Sequence, residues 1–280
     1  MTARSFGLWW GTVEGADIAT LAEVAGAAGF GSISSTPAMY FDARARGASD
    51  DDLRELLART GVTVAVIDPL IRGLPGSLDP ESVARRFRST FEYGADDAFR
   101  AAEALGARSI NVAHYMGAPT PLDQLIDAIA AIGRDARDRG LQVLVEFMPE
   151  GGIRNLGDAA AIVAGVAAPN VAIMLDTWHL FRTAGSLDEL EQLPPGAIGA
   201  VQVGDATAAA WGTGVDPPSA DRLLPGQGVV PIREIVTIAR RNNPDVVVGI
   251  EVFNRASIEA SPSDRAAAAA AAMVATLTGV

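Results

Sequence analysis

LQVLVEFMPEGGIRNLGDAAAIVAGVAAPNVAIMLD (residues 141–176) contains two short apolar runs on either side of a segment with helical spacing. The first run ends at Glu146 and the second at Asp176, and the intervening helix is predicted near Leu156–Val166. Buried parallel strands have this continuous apolar character because helices cover both of their faces. The stretch therefore predicts a strand–helix–strand unit in which each strand ends in an acid.

The same alternation of strands and helices runs along the whole chain. Two further apolar runs end at Gln202 and Glu251, and four earlier strands are predicted at Phe6–Trp10, Ser32–Ser35, Val62–Ile67 and Ser109–Ala113. Helical spacing predicts the other helices at Asp17–Ala28, between a cap at Ser49 and Gly61, at Phe91–Leu105 and Leu122–Arg139, near Leu187–Leu193 and Ile232–Arg241, and at about Pro262–Leu277. Eight strand–helix units without an obvious boundary predict one α/β domain over residues 1–280, a (β/α)8 TIM barrel and not a doubly wound sheet.

Composition restricts the partners of this chain. A formal net charge of −12 over 280 residues argues against nucleic acid and against anionic membrane surfaces as partners. The absence of cysteine excludes disulfides, thiolate metal ligands and a cysteine nucleophile. No segment approaches the roughly 20 apolar residues of a membrane span, and the first residues lack the apolar core of a signal peptide. We therefore expect a cytoplasmic location.

Four oxygen-bearing side chains fall at equivalent ends of four successive predicted strands: Glu146, Asp176, Gln202 and Glu251. In TIM barrels the active site lies at the C-terminal ends of the strands. A carboxylate at the end of a buried strand is costly to desolvate without a partner, and a divalent ion supplies one. Because the donors are hard oxygen atoms, they favour Mn²⁺ or Mg²⁺ over Zn²⁺. The alternative is that some of these acids pair with arginines on the rim.

Several other side chains are placed to face the same rim. His114 and His179, the two histidines of the chain, each follow a predicted strand. Arg222 precedes a Pro-Gly-Gln-Gly turn, which suits an arginine that binds an oxyanion or the hydroxyls of a substrate. Trp178 has the size to form one wall of a small-molecule pocket. For each of them a structural role remains the alternative: a hydrogen-bonded histidine, an ordinary turn, or a tryptophan in the core.

Five segments carry a resemblance to a known superfamily: VLVEFMP (143–149), IMLDTWHLFR (173–182), LPPGAIGAVQVGDA (193–206), RLLPGQG (222–228) and GIEVF (249–253). They look like the sugar phosphate isomerase/epimerase superfamily of xylose-isomerase-like TIM barrels. That superfamily includes inosose isomerases and dehydratases, ketose 3-epimerases, 3-dehydroshikimate dehydratases and endonuclease IV. The similarity is specific between Glu146 and Glu251, whereas the N-terminal half fits the barrel pattern without a sharp motif.

The resemblance implies one divalent-metal site whose four ligands are Glu146, Asp176, Gln202 and Glu251. It also implies that His179, in an Asp-x-x-His motif, contacts the substrate, and that Arg222 matches the arginine of the strand-seven loop. Many isomerases and epimerases of the superfamily have histidine at the position of Gln202. Glutamine there is similar to the 3-dehydroshikimate dehydratases and to a large isomerase-like branch. Two histidines cannot form the histidine-rich three-zinc site of the endonuclease branch.

We therefore expect a metal-dependent isomerase or epimerase of a sugar, keto-sugar or cyclitol, with Mn²⁺ or Mg²⁺ as the ion and Co²⁺ as a further candidate. Proton removal next to a carbonyl is the shared first step, with Glu146, Glu251 and His179 as the catalytic residues. His179, Arg222, His114 and Trp178 are expected to bind the substrate. A dehydratase of a cyclic keto-polyol, such as 3-dehydroshikimate or a keto-inositol, and a catalytically inactive binding subunit are alternatives. The sequence leaves a homo-oligomer open.

Overall fold

Eight parallel strands form a closed barrel in the computed structural model, which describes residues 2–84, 88–209 and 220–280. Each strand pairs with the next, and the first pairs with the last. The strands are β1 (Gly7–Leu8), β2 (Ser32–Ser35), β3 (Thr63–Leu70), β4 (Ser109–Ala113), β5 (Gln142–Glu146), β6 (Val171–Asp176), β7 (Ile198–Val203) and β8 (Val247–Ile250). The predicted (β/α)8 barrel is confirmed.

Helices surround this barrel and bury its outer face. In chain order they are α1 (Ile18–Ala28), α2 (Pro37–Ala45), α3 (Asp50–Thr60), α4 (Arg88–Glu92), α5 (Ala95–Leu105), α6 (Leu122–Arg137), α7 (Leu156–Val166), α8 (Thr177–Arg182), α9 (Leu187–Glu191), α10 (Ile232–Asn242) and α11 (Pro262–Leu277). Within the described part of the chain, none of the helices has the length and apolar character needed to cross a membrane.

The predicted cap at Ser49 is confirmed. The Ser49 hydroxyl accepts from the backbone N–H of Asp52, and the Asp52 carboxylate accepts from the backbone N–H of Ser49. This reciprocal pairing satisfies two backbone donors that the first turn of α3 leaves free. At the other end of α3, Gly61 adopts φ 68°, the left-handed conformation that glycine reaches without steric cost.

The prediction of one helix over Phe91–Leu105 is wrong. The structure has two helices, α4 and α5, which are separated at Tyr93 and Gly94. The backbone N–H of Gly94 donates to the carboxylate of Asp97 at 2.9 Å, so a new helix begins at Ala95. The helical spacing of apolar residues continues across this break, so it did not indicate two helices. Gly94 was the residue in the sequence that marks the break.

Trp9 fills the interior of the barrel beside β1 and β8. Its indole is fully buried, and a Cβ atom at either Gly7 or Gly249 would lie 1.8 Å from the ring. Glycine is required at both positions because the strand backbone itself contacts the indole. The interior at this level is therefore closed by packing, and the polar chemistry lies at the C-terminal ends of the strands.

Candidate functional site

The C-terminal rim of the barrel brings together four buried polar side chains. Glu146 and Asp176 are the last residues of β5 and β6, Gln202 lies one residue before the end of β7, and Glu251 directly follows β8. Strand pairing sets Asp176 opposite Gln202. None of the four is more than 5% exposed. The closed barrel therefore concentrates three carboxylates and one amide in a region that water hardly reaches.

Glu146, Asp176 and His179 form a group that is able to hold a metal ion, because one ligand atom of each lies within 4.8 Å of the others. His179 belongs to this group because Asp176 is the N-cap of α8, and its Oδ1 accepts from the His179 backbone N–H at 2.9 Å. The Nε2 atom of His179 lies 3.6 Å from Glu146 Oε1 and 3.8 Å from Asp176 Oδ2. A nitrogen atom that could bind a metal ion thus lies beside the carboxylates, whereas the sequence led us to expect oxygen ligands alone.

Arg222 carries a positive charge into this cluster. Its Nη1 donates to Asp176 Oδ2 at 2.8 Å and lies 3.5 Å from Glu251 Oε2. The guanidinium carbon lies 5.2 Å from the ring centre of Trp178, which is fully buried, and 5.3 Å from that of Phe253. The alternative that rim acids pair with an arginine therefore describes Asp176 and Glu251, although one arginine offsets only one of the negative charges.

His179 is a neutral imidazole. The Nη2 atom of Arg222 lies 3.2 Å from His179 Nε2, and because a guanidinium only donates, Nε2 must accept and Nδ1 carries the proton. Burial lowers the pKa of His179 to about 4; Asp176 opposes this shift and Arg222 adds to it. The Nδ1 atom is buried and has no hydrogen-bond partner among the described residues. At neutral pH, His179 therefore offers one free N–H donor.

Asp68 and Asn111, absent from the sequence predictions, complete the cluster. Asn111 Nδ2 donates to Asp68 Oδ1 at 2.7 Å and to Glu146 Oε2 at 2.6 Å, and Gln202 Nε2 donates to Asp68 Oδ2 at 3.3 Å. Both Asp68 and Asn111 are buried. A signal for Asp68 was present, because the apolar run of β3 also ends in an acid, directly before Pro69.

Burial dominates the electrostatics of these acids. Desolvation raises the pKa of Asp68 to about 6, although a hydrogen bond from Asn111 opposes the shift. Desolvation also raises the pKa values of Glu146 and Glu251 well above the usual range, and neighbouring carboxylates raise them further. A buried anion without a cation partner is costly. The cluster therefore favours a positive charge at its centre beyond the one that Arg222 provides.

The described residues fit a divalent ion held mainly by oxygen. Gln202 Oε1 and Glu251 Oε1 are buried and have no hydrogen-bond partner among the described residues. Buried acceptors without a donor are uncommon in folded proteins, and a cation satisfies them. The NH2 group of Gln202 is turned to Asp68, so its oxygen is the free end of the amide. Both orphaned oxygens come from residues at the carboxylate cluster.

His114 joins two loops. Its Nδ1 accepts from the backbone N–H of Gly152 at 3.0 Å, and its Nε2 lies 2.8 Å from the backbone oxygen of Pro75. The ring is buried, and both nitrogens are occupied by backbone groups of the loops that follow β3 and β5. The structural alternative thus describes the contacts of His114, and its contact with substrate stays a prediction.

Asp205, also absent from the predictions, holds the loop that carries Arg222. Its buried carboxylate accepts from four backbone N–H groups at 2.8–3.0 Å, those of Ala206, Gly226, Gly228 and Val230. These bonds fix the Pro-Gly-Gln-Gly turn against the end of β7. The turn glycines are thus part of the scaffold that brings Arg222 to Asp176.

A depression of about 490 Å³ lies at the opposite end of the barrel. Residues before or at the starts of strands line it, among them Arg108, Gln142 and Val247, and none of the strand-end acids does. Its lining combines exposed arginines with backbone turns and lacks a cluster of buried titratable groups. The C-terminal rim is therefore the candidate site on chemical grounds.

A sequence profile of the family described as xylose isomerase-like TIM barrel matches residues 21–277. The match covers most of the chain, so the chain belongs to this family. The resemblance inferred from the strand-end motifs is thereby confirmed.

Individual relatives are distant. An inosose isomerase from Halalkalibacterium halodurans is 21% identical over 159 residues, which is 52% of this chain and 55% of that protein, so the matched stretch spans about half of the relative. The solved structure of IOLI protein with a bound zinc atom has 17% identity, covers 98% of both chains and gives a TM-score of 0.82. A D-psicose 3-epimerase structure in the presence of D-fructose has 20% identity, covers 98% of this chain and 99% of that chain, and gives a TM-score of 0.71. At these identities the structural likeness shows the fold.

Proposed function

We propose that the chain is a divalent-metal-dependent isomerase or epimerase of a sugar or cyclitol. The observation that carries this proposal is the cluster of buried strand-end carboxylates with two orphaned acceptor oxygens at the catalytic end of a TIM barrel. Membership of a family whose relatives include an inosose isomerase supports it. A cytoplasmic location and a homo-oligomer remain predictions.

The ion would be held by Glu146, Asp176, Gln202 and Glu251. Mn²⁺ or Mg²⁺ suits this oxygen-rich set, and the nearby nitrogen of His179 keeps Co²⁺ and Zn²⁺ as further candidates. When bound, such an ion polarises carbonyl and hydroxyl oxygens and lowers the cost of an enediolate. The metal that IOLI protein binds is zinc.

Proton transfer is assigned to Glu146 and Glu251. They arise from β5 and β8, two strands that are not neighbours in the barrel, so they approach the site from different sides. In an isomerase one carboxylate moves a proton between adjacent carbons, and in an epimerase one removes the proton and the other returns it. The raised pKa values of both groups make each carboxylate a stronger base than an exposed glutamate, which suits a general base.

His179 would act through its free Nδ1–H. A neutral imidazole donates a hydrogen bond to a carbonyl or to a developing oxyanion, which suits the low pKa of this histidine. The same donor directed at a leaving hydroxyl gives the alternative reaction, dehydration of a cyclic keto-polyol. In that role the histidine stabilises departing hydroxide by a hydrogen bond, and full protonation by an imidazolium would require more acidic conditions.

Solvent deuterium tests the shared first step. Mn²⁺-loaded protein incubated with keto-sugars and keto-cyclitols in D2O is expected to place deuterium on the carbon next to the carbonyl, detected by mass spectrometry and proton NMR. A rearranged product without further mass change identifies an isomerase or epimerase, and loss of water identifies the dehydratase. Conversion without any deuterium would replace proton transfer by a hydride shift and remove the base role of the glutamates.

Asp176→Asn is expected to weaken metal binding by more than the roughly 10–100-fold that substitutions of groups behind the ligands usually cost. It removes one anionic ligand and keeps the size of the side chain. The measurement is a titration of Mn²⁺ into metal-free protein, with about one ion bound per wild-type chain. Asp51→Asn is the matched control, because Asp51 is an exposed acid on α3. Wild-type affinity in Asp176→Asn would place the ion elsewhere.

Asp68→Asn is expected to lower Mn²⁺ affinity by about 10–100-fold, although Asp68 is not a proposed ligand. The Asp68 carboxylate accepts from the amide nitrogen of Gln202 and thereby leaves the amide oxygen free. An asparagine at position 68 can donate instead, which allows the Gln202 amide to turn its nitrogen toward the ion.

A double-mutant cycle separates this effect from the loss of one negative charge. If Asp68 acts by orienting Gln202, Asp68→Asn should cost clearly less in a Gln202→Ala background than in the wild type. Equal costs in both backgrounds would reduce the role of Asp68 to its charge. Thermal unfolding of each variant checks that the barrel remains intact.

A further inference from the structure

The candidate site holds more carboxyl groups than one divalent ion can pair with. Four of its carboxylates are buried: Asp68, Glu146, Asp176 and Glu251. Among the described residues, Arg222 is the arginine that forms ion pairs with them, with Asp176 and with Glu251. The sequence has no lysine, since all 22 of its basic residues other than histidine are arginines. A bound substrate therefore meets a site in which acids outnumber bases.

Glu150 adds a fifth carboxylate. It lies in the loop after β5, within electrostatic range of Arg222 and Asp176, and burial raises its pKa. Both of its carboxylate oxygens are buried and have no hydrogen-bond partner among the described residues. Orphaned acceptors of this kind are satisfied by hydroxyl or amine donors. They offer nothing to the oxygens of a phosphate or a carboxylate.

Arg222 is poorly available for an anionic substrate. Its Nη1 is committed to Asp176 and Glu251, and its Nη2 faces His179. Only Nε is buried without a partner among the described residues. Recognition of a phosphate or carboxylate by arginine commonly uses two parallel N–H donors, and a single Nε–H falls short of this.

We infer that the substrate of this site is an uncharged polyhydroxy ketone, and not a phosphate ester or a carboxylic acid. This inference rests on the proposed function. Arg222 and one divalent ion supply three positive charges for five carboxyl groups in a region of low dielectric constant, where an added anion finds little compensation. The hydroxyls of a neutral ketose or inosose match the free acceptors of Glu150, whereas an added anionic group meets Arg222 with both of its Nη atoms already committed.

Binding of paired probes tests the inference. Titrations of Mn²⁺-loaded protein with D-fructose and D-fructose 6-phosphate, and with 2-keto-myo-inositol and 3-dehydroshikimate, compare a neutral with an anionic ligand of similar size. The neutral member of each pair is expected to bind at least about tenfold more tightly, a factor that corresponds to 1.4 kcal/mol. An anionic member that binds equally or more tightly overturns the inference, and so does failure of both neutral probes to bind.

Glu150→Gln provides a second readout. It removes one negative charge while it keeps the shape of the side chain, so it should improve the affinity for D-fructose 6-phosphate relative to D-fructose by several-fold. Glu103→Gln, an exposed acid on α5, is the matched control and should leave that ratio unchanged. An unchanged ratio in Glu150→Gln counts against the charge argument.

Deuterium exchange distinguishes a failure of the substrate inference from a failure of the proposed function. An anionic probe that binds more tightly and exchanges its α-proton would overturn the neutral substrate but leave the isomerase or epimerase in place. Neutral probes that bind without any exchange or conversion would support the neutral ligand and remove the enzymatic role.

Discussion

Glu251→Gln is expected to reduce turnover by about 10²–10⁴-fold, the range that a positioned general base typically contributes. Glu251 lies at the end of β8, buried beside Asp176 and Arg222, and the amide has the same shape without the ability to accept a proton. Because Glu251 is also a proposed metal ligand, turnover must be measured at saturating Mn²⁺ with occupancy determined on the same sample. The matched control is Glu259→Gln, an exposed acid in the loop after β8.

The two proposed bases can be separated if the reaction is an epimerisation. In D2O, a variant at Glu251 should still exchange the α-proton of one epimer through Glu146 without converting that epimer. Glu146→Gln should exchange the α-proton of the other epimer through Glu251, again without conversion. Loss of exchange from both epimers in Glu251→Gln at full metal occupancy would mean that one group performs both transfers. Turnover of Glu251→Gln within about threefold of wild type would contradict a base role outright, since general bases contribute far more.

The barrel was predictable because its signals are local. Most of the buried strands are short apolar runs and the helices between them have their own spacing. This alternation admits few topologies. The capping residues Ser49 and Gly61 were sufficient to predict the two ends of α3. The break between α4 and α5 was not predicted, because the cap at Gly94 is a hydrogen bond from its backbone N–H to the side chain of Asp97. The spacing of apolar residues carries no information about such a bond.

The site was predictable only in part. The four strand-end residues share one sequence pattern, an oxygen-bearing side chain at the end of an apolar run. Closure of the barrel brings these four strand ends close together. Asp68 has the same pattern, but β3 continues through Pro69 to Leu70, so this acid does not stand at the last position of its strand. The contact of Arg222 with Asp176 depends on a loop that is held by Asp205 through four backbone N–H groups, and no spacing rule encodes such a contact. Long-range side-chain hydrogen bonds such as Asn111 to Glu146 likewise arise only when the strands are assembled.

Arg222→Met is expected to destabilise the metal-free protein by about 3–5 kcal/mol, the usual cost of removing one partner from a buried ion pair. Methionine retains the packing against Trp178 and Phe253 but leaves Asp176 and Glu251 without their cation. In a chain of this size the loss corresponds to a fall in melting temperature on the order of 10 °C. The loss should shrink toward acidic pH, because buried carboxylates that protonate no longer need a cation.

Saturating Mn²⁺ should recover a large part of this loss, because a bound ion stabilises the folded state and supplies the missing positive charge. Arg182→Met is the matched control: Arg182 also lies 5.2 Å from the Trp178 ring and is equally buried, but its ion pair is with Asp221 and not with the cluster. Mn²⁺ should therefore raise the melting temperature of Arg222→Met more than that of Arg182→Met, measured by calorimetry with and without the ion. Equal gains in the two variants would show that the ion and Arg222 do not serve the same carboxylates, and the metal site would have to be sought away from Asp176 and Glu251.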